Sequence, residues 1–399
     1  MRSAEVSNDE SLDAFLGGYQ GEAKEWSQPS SFDLSSSEDI DELSSLVKSG
    51  NVSSVSDQAL VIANNLFELR HPEAIDDSVA RTEYTQEIIN RGKEFGRWVL
   101  FPWSKELMRY PEQKDLRDLR TSRNRHLITN DEQRQLYDAS IAVFGLSVGS
   151  NVVDKLVQSG IGGTLTVGDM DILEPSNLNR INATMQDVGS KKVDVAAKKI
   201  SIADPYIRQV HFSDGVTRQN IDKLTDPAIA PDVIVDEVDD LPAKASLRLF
   251  AQEQKTPLVM ATDAGDKAVL DVERYDTEKT EPFNGKLNTR EVQKLADNDF
   301  TDAERGKFML KLVGVRNVTP RLLRSSMDIG KELGGIPQLG VTASVGGALA
   351  AVAIREIILE RDLPSGRYTY SPKNIMSLQP QMSRRDSLRT FLEFIKNKE

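Results

Sequence analysis

The stretch Ile141–Lys192 constrains this chain more than any other. An apolar run containing Ile141, Val143 and Phe144 stops at Gly145, and Gly149 comes within one helical turn. Asn151–Gln158 continues as a helix, Leu165–Val167 reads as a second strand, and that strand ends at Asp169. Strand, glycine turn, helix, strand and acid form the opening of a nucleotide-binding βαβ unit. The turn glycines let a phosphate approach the backbone. The helix start offers unpaired N–H groups and the positive end of its dipole. Asp169 is placed to accept hydrogen bonds from ribose hydroxyls. The expected fold is α/β: a Rossmann-like, mostly parallel sheet with flanking helices.

The segment after the second strand is more specific. Asp169 and Asp171, then Glu174-Pro-Ser-Asn177-Leu-Asn-Arg180, then Gly189-Ser-Lys-Lys192 bring acids, an amide, an arginine and lysines to one side of the same crevice. A dinucleotide-dependent dehydrogenase has no need of that cationic set. An enzyme handling a triphosphate does, because its charge must be neutralised. A later apolar run, Asp232–Val235, ends in Asp236-Glu-Val-Asp239-Asp240. Acids at the C-terminal end of a parallel strand lie where α/β sheets bind ligands. Asp239 or Asp240 can equally cap the helix expected over Pro242–Glu253, one acid serving each purpose.

These residues resemble the ThiF/MoeB adenylyltransferases, whose fold is shared with the ubiquitin-activating enzymes. The resemblance rests on the aspartate pair, on SNLNR at Ser176–Arg180 and on Gly189-x-x-Lys192. The glycine loop departs from the family pattern. It is one residue shorter, has Ser147 where glycine is usual, and Ile181 stands where glutamine is usual. A branch with GLSVG, some members of which are fused to a nitroreductase-like domain, is the most similar. The resemblance covers roughly residues 115–370.

It implies an ATP-dependent enzyme that activates a carboxylate as an acyl adenylate and releases pyrophosphate. Arg180 and Lys192 would hold the phosphates, and Asp239 would hold Mg²⁺ against them. Asp169 and Asp171 would serve the nucleotide, with Asn177 helping to orient the triphosphate over Gly145, Ser147 and Gly149. The family carries an arginine about two dozen residues before the glycine loop that reaches the partner subunit's ATP. Arg123 matches it, with Arg125 close behind; a surface role is the other reading of both. ThiF-like proteins dimerise through a helix matching Val341–Leu359, which contains Gly346 and Gly347, so a homodimer is expected.

The chain has 399 residues, a formal net charge of -12 and no cysteine. The acidity argues against a nucleic-acid partner. Without cysteine there is no disulfide, no thiolate metal site and no enzyme thioester, so an adenylate must pass directly to its acceptor. No apolar run is read as membrane-spanning and Met1-Arg-Ser-Ala-Glu does not lead into a signal peptide, so no membrane contact and a cytoplasmic location are expected.

Four parts are expected. Residues 1–57 read as an acidic, weakly ordered tail, rich in Ser, Asp and Glu. Residues 58–114 read as a helical cap, with helices over Gln58–Arg70 and Thr82–Trp98. Trp98 and Trp103 pack in that cap or stack on a ligand base. Residues 115–370 form the adenylation domain, and 371–399 a tail with one amphipathic helix. In the polar region from Asp276, helices are expected over Thr289–Ala296, Asp302–Val313 and Pro320–Glu332. Two other functions remain compatible with the sequence: a nucleotide-binding pseudoenzyme that assembles with a partner, and an oxidoreductase using NAD or FAD.

Overall fold

The computed structural model describes residues 25–314, 318–376 and 382–396. The chain first builds a four-stranded sheet in the order β1-β3-β4-β2. Its strands are β1 (Ser30–Phe32), β2 (Ser54–Ser56), β3 (Arg97–Phe101) and β4 (Glu106–Tyr110). Helix α1 (Ser37–Lys48) packs Leu43 into a small core with Phe32, Trp98, Leu100 and Leu107. Helices α2 (Ala59–Arg70) and α3 (Ser78–Asn90) share a second core through Ala63, Leu66 and Ile88.

Two expectations are corrected here. Residues 30–56 carry two strands and a helix where a weakly ordered tail is expected; the rest of that tail, residues 1–24, lies outside the described residues. Phe32, Leu34 and Leu43, with Ile40, Leu46 and Val52 packed against them, anchor this polar stretch, and Ser36 caps α1 through Asp39 N–H. The helix expected to reach Trp98 ends at Asn90. Gly92 and Gly96 adopt positive φ, and at Gly96 a Cβ would lie 2.2 Å from the Tyr110 carbonyl oxygen. The chain therefore turns and re-enters as β3, making the cap a mixed α+β layer. Trp98 packs in its core, with the Arg109 guanidinium 4.4 Å from its ring centroid.

After α4 (Gln113–Arg120) and α5 (Asn130–Asp138), the chain forms a seven-stranded sheet in the order β11-β10-β9-β8-β5-β6-β7. Its strands are β5 (Ser140–Phe144), β6 (Thr164–Gly168), β7 (Arg208–Phe212), β8 (Val233–Asp236), β9 (Leu258–Asp263), β10 (Ala268–Glu273) and β11 (Gly366–Tyr370). β5 to β9 are parallel; β10 and β11 are antiparallel additions. β5 is apolar from Ile141 to Phe144 because both its faces are covered there. Ile141 and Val143 meet α6 (Val148–Ser159) in one core, and Ala142 and Phe144 join Leu247 and Phe250 of α8 (Leu241–Gln254) in the other. α7 (Lys192–Ala203) adds Val193 and Ile200 to the first core.

The polar region after β10 folds as α9 (Thr289–Ala296), α10 (Asp302–Val313) and α11 (Pro320–Asp328). Then α12 (Gly340–Ile358) packs on α6 and β9. At Gly347 a Cβ would sit 2.7 Å from the Asn151 backbone, so only glycine allows the two helices to approach this closely. α12 is long and apolar enough to span a membrane by length and composition, with a mean hydropathy of 1.6, which corrects the reading that no run reaches that length. Half of that stretch is buried inside the fold, and that burial accounts for its apolarity. The C-terminal helix α13 (Arg384–Lys396) contacts α11.

Candidate nucleotide crevice

β5 and β8 are neighbours in the sheet, but β6 and β9 continue outward on opposite sides of them. The crevice outside the C-terminal ends of such a pair is where this architecture takes ligands. Gly145 leaves β5 at φ +87°, its N–H donating to the Gly168 carbonyl at 2.7 Å. A Cβ at Gly145 would lie 2.2 Å from the Glu237 carbonyl oxygen, so the turn after β5 fits against the turn after β8 only because it is glycine. Gly149 serves packing: a Cβ there would meet Val143 at 3.1 Å and Glu237 at 3.4 Å. It therefore faces the sheet rather than the crevice.

Asp169 ties this turn to the next strand. Its Oδ2 accepts the Leu146 N–H at 2.6 Å and its Oδ1 accepts the Asp171 N–H at 2.8 Å. Burial pushes its carboxyl above the usual carboxylate range, opposed by those N–H groups and by Lys192. Lys192 opens α7 and is 8% exposed. Its ammonium lies 2.7 Å from Asp171 and 3.9 Å from Asp169.

Arg180 reaches the same turn from the other side. Its Nε donates to Ser147 Oγ at 2.9 Å, and its Nη1 to the Ser176 carbonyl and Asn179 Oδ1. Asn177 is 7% exposed and works as a scaffold: its Oδ1 accepts the Glu174 N–H at 3.1 Å, closing the short turn that presents Arg180. The two acids after β8 differ in their partners. Asp240 caps α8 by accepting the Ala243 N–H at 2.9 Å, while Asp239 is exposed at the crevice mouth.

Arg180, Lys192, Asp169, Asp171, Ser147 and Asp239 thus gather at the C-terminal edge of β5, β6 and β8. Arg123 and Arg125 do not. Both are exposed on the turn between α4 and α5, where Asn124 bonds Gln133 beside the C-terminal end of α6. Twelve helical residues, about 18 Å at 1.5 Å per residue, separate that end from Ser147. Neither arginine serves the crevice of its own chain.

Three further features of the crevice have partners that the sequence does not give, although Asp263 lies in a loop read as turn or substrate-facing and Asp236 and Glu237 in the acidic run after β8. Asp263, at the end of β9, accepts the Leu339 and Gly265 N–H groups, both at 3.1 Å. Burial raises its pKa to about 6 even though those N–H groups and the Arg180 charge oppose it. Glu237 accepts the Ala261 N–H at 2.6 Å, and burial holds its carboxyl well above the usual range. Beneath both, Arg248 is fully buried, 2.5 Å from Asp236 and 2.9 Å from Glu273. A charged pair at Lys244 and Arg248, four apart on an otherwise apolar helix face, is the available signal for this last group.

No cluster of three or more metal-ligating side chains occurs among the described residues. Asp171 is accessible but paired with Lys192, and Asp240 caps α8, which leaves Asp239 as the accessible carboxylate with no ion pair among the described residues. One carboxylate is too few for a protein-held metal but suits Mg²⁺ carried in by a polyphosphate, which keeps most of its ligands as water and phosphate oxygen.

The ThiF family model matches residues 121–389. An uncharacterized protein of Mycobacterium tuberculosis is 35% identical over 69% of this chain and 38% of its own length. The tRNA threonylcarbamoyladenosine dehydratase of Escherichia coli is 32% identical over 38% of this chain and 58% of its own. The sulfur carrier protein adenylyltransferase of Thermus thermophilus is 33% identical over 32% of this chain and 46% of its own. The matched part of this chain therefore spans less than two thirds of the length of each of these relatives.

Proposed function

This chain belongs to the ThiF family, and on that footing we propose that it is an ATP-dependent adenylyltransferase that activates a carboxylate. A carboxylate oxygen attacks the α-phosphorus of ATP, the α–β phosphoanhydride bond breaks, and pyrophosphate leaves with the displaced electron pair. In-line displacement of this kind needs positioning and charge neutralisation more than a protein nucleophile. The observation that carries the reading is the pair of cations flanking one glycine turn. Arg180 is bonded to Ser147, and Lys192 is joined through Asp169 to Leu146.

Arg180 and Lys192 would exchange their present partners for phosphate oxygens as the nucleotide enters. Asp239 would hold Mg²⁺, which supplies further charge neutralisation of the polyphosphate. Asp169 keeps its loop-shaping bonds and uses its remaining lone pairs for the ribose. Arg123, with Arg125, would reach the crevice of a second copy, which makes a homodimer part of the proposal. The chain has no cysteine to form a thioester, so the adenylate passes directly to an acceptor. Carrier-protein tails and small or peptide carboxylates are the substrate classes to try, since one relative is named for a sulfur carrier protein.

The experiment is pyrophosphate release from Mg-ATP with a pool of carboxylates. Asp239→Ala should abolish it while leaving the fold intact. A second reading is favoured by the near-complete burial of Lys192 between two acids. If that lysine never releases Asp171, the chain is a nucleotide-binding assembly module. ATP binding without turnover on any carboxylate would be its mark.

A further inference from the structure

Asn151 is a polar side chain in an apolar setting. It lies near the start of α6 among Val148, Val152 and Val153, all buried, and is itself 6% exposed. An amide placed there costs free energy unless both its ends are paired. Both are. Its Nδ2 donates to the Arg180 carbonyl at 2.9 Å, and its Oδ1 accepts from Ser344 Oγ of α12 at 3.1 Å. The orientation of the amide is fixed, because only its NH₂ end can meet a carbonyl. We propose that Asn151 is a positioning residue for the nucleotide crevice: it anchors the main chain of Arg180 to α6 and α12, giving the guanidinium a fixed pivot from which to reach phosphate. The inference rests on the reading that Arg180 holds the nucleotide phosphates.

The start of α6 grips Arg180 twice. Ser147, the residue before α6 and four before Asn151, accepts the Arg180 Nε at 2.9 Å. Residues at that spacing share one face of a helix. The two grips differ in kind. The Ser147 bond is made to the guanidinium and competes for an atom that a phosphate would take. The Asn151 bond is made to the main chain and persists while the guanidinium changes partners. A packing role alone would be met by an apolar side chain, as at Val152 and Val153 next to it.

α12 holds the pivot from the other side. Its Gly347 lets the helix press directly on Asn151, whose Cβ is 2.7 Å from where a Cβ at that glycine would stand. At the start of the same helix, Gly340 lies against the Asn179 carbonyl. The Asn179 Nδ2 donates to the Gln338 carbonyl at 2.9 Å, and its Oδ1 accepts from Arg180 Nη1 at 3.0 Å. These Asn179 bonds are exposed, so water competes for them. The Asn151 bonds are partly shielded, and they join Arg180 to α12 through one side chain. That makes Asn151 the stiffer of the two links.

The test is a double-mutant cycle on the full chain, read by Mg-ATP titration with a melting curve for each protein. Asn151→Ala keeps the backbone and Cβ atoms on which Gly347 packs, and alanine suits a helix interior. It should weaken ATP binding about threefold to tenfold, the size of one lost hydrogen bond. In an Arg180→Ala background the same substitution should change the affinity by less than about twofold, because its effect passes through the guanidinium. A merely structural role would weaken binding equally in both backgrounds, and that result overturns the proposal. So does full affinity in Asn151→Ala where Arg180→Ala has lost it. Unchanged affinity in Arg180→Ala alone removes the crevice reading itself, and this inference with it. Should Asn151→Ala fail to fold, a structure of the unaltered chain with a non-hydrolysable ATP analogue decides. Arg180 on phosphate with its carbonyl still bonded to Asn151 supports the pivot, and Arg180 on phosphate with that bond broken refutes it.

Discussion

Asp169 and Leu146 lie at the ends of different strands, yet the Asp169 carboxylate accepts the Leu146 N–H at 2.6 Å. This bond fixes the shape of the turn after β5. The other oxygen of the same carboxylate holds Asp171 N–H, so one side chain sets both the glycine turn and the aspartate that pairs with Lys192. An acid expected to contact only the ribose also builds the loop beneath the phosphates.

Asp169→Asn should therefore cost more than a lost ribose contact. Asparagine keeps one acceptor oxygen, so one of the two backbone N–H groups is left buried and unpaired, and Lys192 loses part of its counter-charge. The expected loss is about 1–3 kcal/mol of folding stability together with a fall in ATP affinity of about tenfold or more. Urea unfolding and ATP titration check the two parts separately. Normal stability with weakened ATP binding would return Asp169 to a purely ribose-binding role.

Gly145→Ala probes the contact between the two turns. The new Cβ would meet the Glu237 carbonyl at 2.2 Å, and the residue would be held at φ +87°. Strained backbone alone costs on the order of 1–3 kcal/mol, and relieving the clash must move Glu237 and the Asp239 segment behind it. We expect a destabilised protein with nucleotide binding lost, measured by thermal unfolding with and without ATP. Gly189→Ala is the control: its φ is also positive, at +89°, but nothing lies within 4 Å of its Cβ position. Equal losses at the two glycines would show that backbone strain, not the turn-to-turn contact, dominates.

How much of the fold and the crevice is legible in the sequence depends on which forces leave a local trace. β5, β6 and β8 can be read because strands covered on both faces are largely apolar, and Thr289–Ala296 because its apolar positions recur at helical spacing. Arg180 and Lys192 can be read from the spacing of the polar segment that carries them. β11, Gly366-Arg-Tyr-Thr-Tyr370, escapes such a reading because it is a polar edge strand, held to β10 by pairing and by Arg367 on Asp271. Asp263 has the signature of a turn residue. Its buried position depends on Leu339, 76 residues away, and no local pattern encodes that. Asn177 belongs to the right motif but serves a different task from the one expected, because a capping side chain and a ligand-facing one have the same sequence signature.

Asp263 gives a pH dependence of definite sign. The unfolded chain releases this proton near the ordinary aspartate value of about 3.9, and the folded chain near 6. Between those values the folded state binds the proton more tightly, so this residue's contribution to stability falls as pH rises from about 4 to about 6 and is level above that. Asp263→Asn should remove that slope. Urea unfolding of both proteins at about pH 4.5, 5.5 and 7, values that bracket this window, should show wild type losing ground to the variant as pH rises. Parallel pH profiles would mean that the carboxyl titrates normally in the folded protein.

Arg248 offers the sharpest test of how the crevice floor is held. Its guanidinium bridges Asp236 and Glu273 and lies 3.9 Å from the Phe283 ring centroid, with no exposed surface. Burial works to raise the Asp236 carboxyl, yet Lys244 and Arg248 together hold it below the ordinary carboxylate range. Arg248→Met keeps much of the volume but strands two buried carboxylates, with only Lys244 left for Asp236. Breaking one side of such a group costs about 3–5 kcal/mol. Arg248→Lys should rescue little, because a point charge cannot span both acids as the planar fork does. Pairing Arg248→Met with Glu273→Gln should recover part of the loss by removing one stranded charge. Asp236 lies three residues before Asp239, so the single variant should also loosen Mg-ATP binding, and the double variant should restore stability more fully than it restores binding. Urea unfolding and Mg-ATP titration of all three proteins would separate these effects. A stability change under about 1 kcal/mol for Arg248→Met would mean the buried charges are solvated by something other than this arginine.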